Sequence, residues 1–163
     1  MEIYLSLGSN LGNRRANIMQ ALGLLDEALG VSFSRLSSID ESESGGFDGP
    51  AFLDCVVRYD LPEGAGSEGT MVPEPGPEAL LGLCKEIERR LGRHETLEFD
   101  ADGGRVYHDR TIDIDILLYG KLWMDTPQLC IPHKLISSRD FIKKPLREVV
   151  SEELALHFKD ILE

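Results

Sequence analysis

Apolar and polar residues alternate from the first positions of the chain. In EIYLSLGS, Ile3, Leu5 and Leu7 fall on one side, and Glu2, Tyr4 and Ser6 on the other. A period of two predicts a half-buried β-strand. GSNLGN punctuates it; Ile18, Ala21, Leu22, Leu25 and Leu29 then recur at helical spacing, with Gly30 as a C-terminal cap. A second strand, VSFSRLSSI, is predicted from Val31. DESESGGFDGPA reads as a loop and FLDCVVRYDL as a third strand. Leu80, Leu81, Cys84, Ile87 and Leu91 mark a second amphipathic helix ending at Gly92. A long loop, RHETLEFDADGGRVYHD, leads into DRTIDIDILLYG as a fourth strand. After KLWMDTPQLCIPH comes a shorter, mostly helical tail.

The order strand, helix, strand, strand, helix, strand predicts an α+β fold of the split, ferredoxin-like (βαββαβ) kind. Its antiparallel sheet would carry helices on one face, followed by a C-terminal extension. A length of 163 residues suits one domain, residues 1–163. Two stretches, about 61–78 (rich in Pro, Gly and Glu) and 94–109, read as flexible insertions within it. The fold hosts many chemistries, so function must come from particular residues.

Charge narrows the choice. The formal net charge is -12, from 29 acidic against 17 basic residues. Such a surface repels polyanions, so nucleic acid is not an expected partner. An anionic substrate would need a divalent cation or a local group of arginines. Cys55, Cys84 and Cys130 are widely spaced among apolar neighbours, which predicts buried free thiols rather than disulfides or a zinc site. The N-terminus has no basic leader and the chain no long apolar run, so no membrane partner and a cytoplasmic location are expected. A monomer or weak oligomer is expected.

Two aspartates interrupt the apolar fourth strand. Alternation puts Ile112, Ile114, Ile116 and Leu118 on one face and Asp113, Asp115 and Leu117 on the other. The two aspartate Cα atoms would lie roughly 6.6 Å apart on the same side. Both carboxylates could then converge on a hard cation such as magnesium, which keeps waters and accepts substrate phosphates as further ligands. A solvated sheet face that simply points its aspartates at water is the alternative. Aspartate is a poor strand former, which weighs against that alternative. So do the cations that accompany the pair: Arg93, Arg110, His133, Lys134, Arg139, Lys143 and Lys144. Arginines among them suit bidentate contact with phosphoryl oxygens. Basic residues answering a helix dipole would equally explain Lys143 and Lys144. No P-loop and no protein-kinase motif set is present.

Taken together, YLSLGSNLGNRRANI, GFDGPAFLD, EIERRLGR, DRTIDIDILLYG and IPHKLISSRDFIKKPL, in this order, resemble the 6-hydroxymethyl-7,8-dihydropterin pyrophosphokinases of folate synthesis. The resemblance covers nearly the whole chain apart from the two long loops and the end of the tail. It implies transfer of pyrophosphate from ATP to the hydroxymethyl oxygen of the pterin, with release of AMP. It implies that Asp113 and Asp115 hold two magnesium ions, and that Arg93 and Arg110 neutralise developing charge. Lys85, Glu88, Arg93, Arg110, Ile116, His133 and Arg139 would meet ATP. Phe52 and Phe141 would sandwich the pterin, with Ser42, Gly46, Asp54 and Asp113 also at its site. Core packing is the plainer explanation of either phenylalanine taken alone. Two other readings fit the same residues: a magnesium-dependent phosphoryl or nucleotidyl transferase with another acceptor, and a non-catalytic ligand-binding module.

The sequence also departs from the family pattern. The stretch between Arg93 and Arg110 is long and acidic, with Asp109 where proline usually precedes the arginine. Asp40 and Ser44 stand where tyrosine and proline are usual. Asp54 stands where asparagine is usual, and an ionised carboxylate only accepts hydrogen bonds where an amide both donates and accepts. Asp54 therefore suits a ligand edge made of N–H donors.

Overall fold

The computed structural model describes residues 1–42, 50–62, 75–92 and 111–163. Glu2–Ser9 forms β1 and Phe52–Asp60 forms β4, antiparallel neighbours that pair along their whole length from Glu2↔Asp60 to Ser9↔Leu53. Asp113–Tyr119 forms β5 on the other side of β1, also antiparallel. Two short strands, β2 (Arg35–Leu36) and β3 (Asp40–Ser42), pair with the outer edge of β4. The path across the sheet is β2-β4-β1-β5. A small hairpin, β6 (Met124–Asp125) with β7 (Cys130–Ile131), follows. The result is an α+β architecture built on an antiparallel sheet and compatible with the ferredoxin-like arrangement. Among the described residues no helix is long and apolar enough to cross a membrane.

Helix α1 spans Arg14–Leu29. The Asn13 side chain caps it by accepting from the Ala16 N–H at 3.1 Å, and Gly30 closes it at φ 73°. Helix α2 spans Pro77–Arg90 and begins inside the stretch expected as an insertion, because a proline is well placed in a helix's first turn. Both helices pack on the face lined by Ile3, Leu5, Leu7, Cys55, Val57, Tyr59, Ile112, Ile114 and Ile116.

The predicted second strand is shorter than VSFSRLSSI, and part of the predicted loop is strand. Ser37 explains the break. Its N–H donates to the Val56 carbonyl at 2.9 Å, while its hydroxyl, not its carbonyl, accepts from the Val56 N–H at 2.8 Å. The side chain replaces the next rung of the ladder. Pairing resumes one residue out of step, Leu36↔Val57 giving way to Asp40↔Asp54.

Two further expectations, the face of Leu118 and the burial of Cys130, are corrected. The tail helices α3 (Asp140–Val149), α4 (Glu152–His157) and α5 (Lys159–Leu162) do not join α1 and α2. They bury Ile142, Leu146, Val149, Leu154, Phe158 and Leu162 against Tyr4, Val56, Leu117 and Leu118 on the opposite face. Leu118 thus lies with Leu117, not with Ile116. The register against β1 slips between Leu5↔Ile116 and Tyr4↔Leu118, a bulge that turns two successive leucines to the same side. Cys55 and Cys84 are buried as expected, but Cys130 is half-buried, with its thiol 3.2 Å from an Asp125 carboxylate oxygen.

This face assignment can be tested by coupling. Leu118→Ala should cost about 2–5 kcal/mol in urea unfolding. Its effect should be non-additive with Leu146→Ala by more than about 0.5 kcal/mol, and additive with Leu22→Ala in the opposite core.

Candidate active site

The tail covers only part of the second sheet face. Beyond Tyr4, Val56 and Leu117, the same face presents Ser6 and Gly8 from β1, Phe52 and Asp54 from β4, and Asp113 and Asp115 from β5. The registers place them in rows. Val56, Ser6 and Asp115 are successive cross-strand partners, as are Asp54, Gly8 and Asp113. Neighbouring strands lie about 4.8 Å apart, so Asp54 and Asp113 face the same space from roughly 10 Å between backbones. On the far side of Asp54 the row continues with Asp40.

Gly8 makes this row possible. A Cβ there would lie 2.8 Å from Asp54 Oδ1 and 3.4 Å from Phe52 Cδ1. The absent side chain lets one Asp54 oxygen reach across β1, while the Ser42 hydroxyl donates to the other. Burial raises the Asp54 pKa to about 6, with the Asp113 charge adding to the rise and the Ser42 hydrogen bond opposing it. A carboxylate lifted by burial beside a like charge marks a candidate functional site.

Strand β5 is held from its outer edge. Glu88, 4% exposed on α2, accepts the Ile114 N–H at 3.0 Å. That amide lies between the two aspartates, so the carboxylate fixes the backbone that presents them. Farther along, the His133 N–H donates to the Leu117 carbonyl at 3.0 Å, which docks the segment after β7 beside the bulge. The His133 Nδ1 accepts from the Leu135 N–H at 3.2 Å, leaving the neutral ring's proton on Nε2. Burial, reinforced by Arg139, lowers the His133 pKa, and the charge of Asp113 works against this. His133 therefore lies within electrostatic reach of both Arg139 and Asp113. Arg139 precedes α3 and lies with its guanidinium carbon 5.5 Å from the centre of the Phe141 ring. Phe141 is 38% exposed.

The structure therefore brings Ser42, Phe52, Asp54, Asp113 and Asp115 onto one face, with His133 in electrostatic reach of Asp113. Lys85 is exposed on α2. Ile116 is buried with its side chain in the opposite core, so its main chain is the part that can meet a ligand. Gly46, Arg93 and Arg110 lie outside the described residues. Among the described residues no set of three or more His, Cys, Asp or Glu side chains could enclose a metal. Two carboxylates on one sheet face still fit magnesium, which binds through one or two carboxylates plus water and phosphate oxygens. Sequence reading missed Gly8 and the positioning role of Glu88. The first shows in the quoted GSN turn only once the register is known, and the second is a helix-to-strand contact without a sequence signal.

A row of carboxylates on an antiparallel sheet, with a histidine and an arginine nearby, marks a candidate active site. The chain belongs to the 7,8-dihydro-6-hydroxymethylpterin-pyrophosphokinase (HPPK) family, whose model matches residues 4–151. It is 38% identical to the 2-amino-4-hydroxy-6-hydroxymethyldihydropteridine pyrophosphokinase of Porphyromonas gingivalis, over 90% of this chain and 89% of that protein. It is 31% identical to the Bacillus subtilis protein of the same name, over 91% of this chain and 78% of the other. A folate synthesis bifunctional protein of Arabidopsis thaliana is 35% identical over 93% of this chain, which spans 28% of that longer protein.

The electrostatics of Asp54 give a stability test. Its folded-state pKa is raised, so the folded protein carries a cost for the ionised form. The cost is fully present above about pH 6 and disappears as pH falls toward the unfolded value of 3.8. In metal-free protein with EDTA, Asp54→Asn should be more stable than wild type at pH 7.5 by roughly 1–3 kcal/mol. Urea unfolding across pH should show that advantage shrinking below about pH 5.

Proposed function

We propose that the protein transfers pyrophosphate from ATP to the hydroxymethyl group of 6-hydroxymethyl-7,8-dihydropterin, forming the pterin diphosphate and AMP in folate synthesis. Family membership supports this, and the observation that carries it is the row Asp54, Gly8, Asp113 with Asp115 beside it. We read the fold in finer detail as ferredoxin-like, with the second strand split into β2 and β3 and α3–α5 as a C-terminal extension. A single domain acting as a monomer or weak oligomer in the cytoplasm completes the proposal.

In this reading Asp113 and Asp115 hold two magnesium ions. When bound, magnesium neutralises phosphate charge and polarises phosphoryl oxygens. The His133 Nε2–H and the Arg139 guanidinium donate to phosphate oxygens, joined by Arg93 and Arg110; Lys85, Glu88 and the Ile116 main chain lie toward the nucleotide. Phe52 and Phe141 offer aromatic faces to the flat pterin, and Ser42, Gly46 and Asp54 meet its polar edge. The hydroxymethyl oxygen forms a bond to the β-phosphorus while the bond from that phosphorus to the α–β bridging oxygen breaks. AMP leaves with that oxygen, and the hydroxyl proton passes to water. A loose transition state needs little covalent help, so positioning and charge neutralisation supply most of the rate.

Purified protein incubated with ATP, Mg²⁺ and the hydroxymethyl-dihydropterin should yield AMP and pterin diphosphate in equal amounts by chromatography. Asp113→Ala or Asp115→Ala should reduce both by more than roughly 100-fold, beyond the usual loss for outer-shell partners of a metal site. ADP in place of AMP would mean phosphoryl rather than pyrophosphoryl transfer. Intact ATP in a folded, nucleotide-binding sample would favour a different acceptor, the reading to which Asp54 in place of asparagine points.

A further inference from the structure

We infer that Arg14, with Asn10 beside it, is a positioning residue that braces the acceptor-side wall of the site, an inference that rests on the pterin reading of that wall. The first turn of α1 holds Arg14 and Arg15 and no acidic residue. Cations there oppose the helix dipole, so the local rule is broken at this position. The structure supplies the compensation. Arg14 Nη1 donates to the Ala51 carbonyl at 2.8 Å, and Nη2 donates to Glu41 Oε1 at 2.8 Å. Asn10, only 1% exposed, donates from Nδ2 to the Pro50 carbonyl at 3.1 Å.

These contacts converge on the residues just ahead of the wall. Pro50 and Ala51 lead directly into Phe52 and Asp54 on β4. Glu41 is the β3 neighbour of Ser42, whose hydroxyl holds Asp54. Arg14 thus ties together the two strands whose pairing sets Ser42, Phe52 and Asp54. The turn that carries the brace is itself fixed, because Asn17 Nδ2 donates to the Leu11 carbonyl at 2.8 Å and to the Ser9 hydroxyl at 3.2 Å.

The three contacts are not equal. The Arg14–Glu41 pair is solvated, with side chains 28% and 62% exposed, and exposed ion pairs contribute little. The charged donor on the Ala51 carbonyl and the buried amide on the Pro50 carbonyl carry the brace. Arg14 sits in the first turn of α1, the helix that packs on the sheet face opposite the carboxylates. The effect of Arg14 and Asn10 reaches the acceptor through the lead-in to β4, and through it the paired β3, and leaves β5 untouched.

Steady-state kinetics combined with hydrogen exchange test this. Arg14→Ala should raise the KM for hydroxymethyl-dihydropterin about ten-fold, with kcat and the KM for ATP within about two-fold of wild type. Arg14→Lys should recover part of the loss, because one ammonium cannot reproduce the forked guanidinium. Glu41→Gln should stay within about two-fold. Without substrates, Arg14→Ala should speed amide exchange in residues 51–57 and leave 113–119 unchanged. Equal changes in both KM values, a loss in kcat alone, a full effect from Glu41→Gln, or faster exchange across the whole sheet would overturn the brace. Wild-type protein that ignores the pterin, with the local exchange change still present, would remove the acceptor assignment and retain the brace.

Discussion

One β-bulge governs how this sheet divides its two faces. Between Ile116 and Leu118 the register of β5 against β1 slips, so Leu117 and Leu118 both turn toward the tail helices. Before the slip, Ile114 and Ile116 serve the core under α1 and α2, and Asp113 and Asp115 face the other way. A single strand therefore supplies both hydrophobic cores and the carboxylate pair. The tail helices cover the leucine end of that face, and the aspartates lie beyond it. Leu117 and Leu118 anchor the strand to one core and Ile114 and Ile116 to the other, which lets it tolerate repelling charges.

Those charges are the second constraint. Asp40, Asp54 and Asp113 share one cross-strand row with a glycine in its middle. Like charges placed opposite one another destabilise a sheet, and burial makes the Asp54 share larger. The protein offsets part of this through the Ser42 hydroxyl on Asp54. Cations or N–H donors brought to the face would lower the repulsion further.

Much of this was legible in the residues. Alternation marked β1, β4 and β5, because each has a fully apolar face. Helical spacing marked α1 and α2, and the Gly30 cap fell where expected. The polar strand Asp40–Ser42 was read as loop because Asp, Glu and Ser are poor strand formers, and only its pairing with β4 makes it a strand. The second strand was overextended because nothing in the sequence shows a serine hydroxyl replacing a rung of the ladder. Leu118 was assigned to the wrong face because strict period two cannot register a bulge. At the site, the aspartate pair and its cationic company stood out from their apolar background, and motif order supplied the aromatic and acceptor-side residues. Gly8 and Glu88 needed the folded geometry, since one acts by lacking a side chain and the other by reaching across to a neighbouring strand.

The central claim is that the metal–nucleotide complex sits on the open end of this sheet face, held by Asp113 and Asp115. Paramagnetic broadening of amide resonances by Mn²⁺, added with a non-hydrolysable ATP analogue, tests it most directly. Losses centred on residues 113–115 and 6–8, extending to Asp54 and His133 and sparing the α1 surface, are the predicted pattern. They should disappear in Asp113→Ala. Broadening centred elsewhere, or a pattern at 113–115 that survives the loss of the carboxylate, would contradict the account.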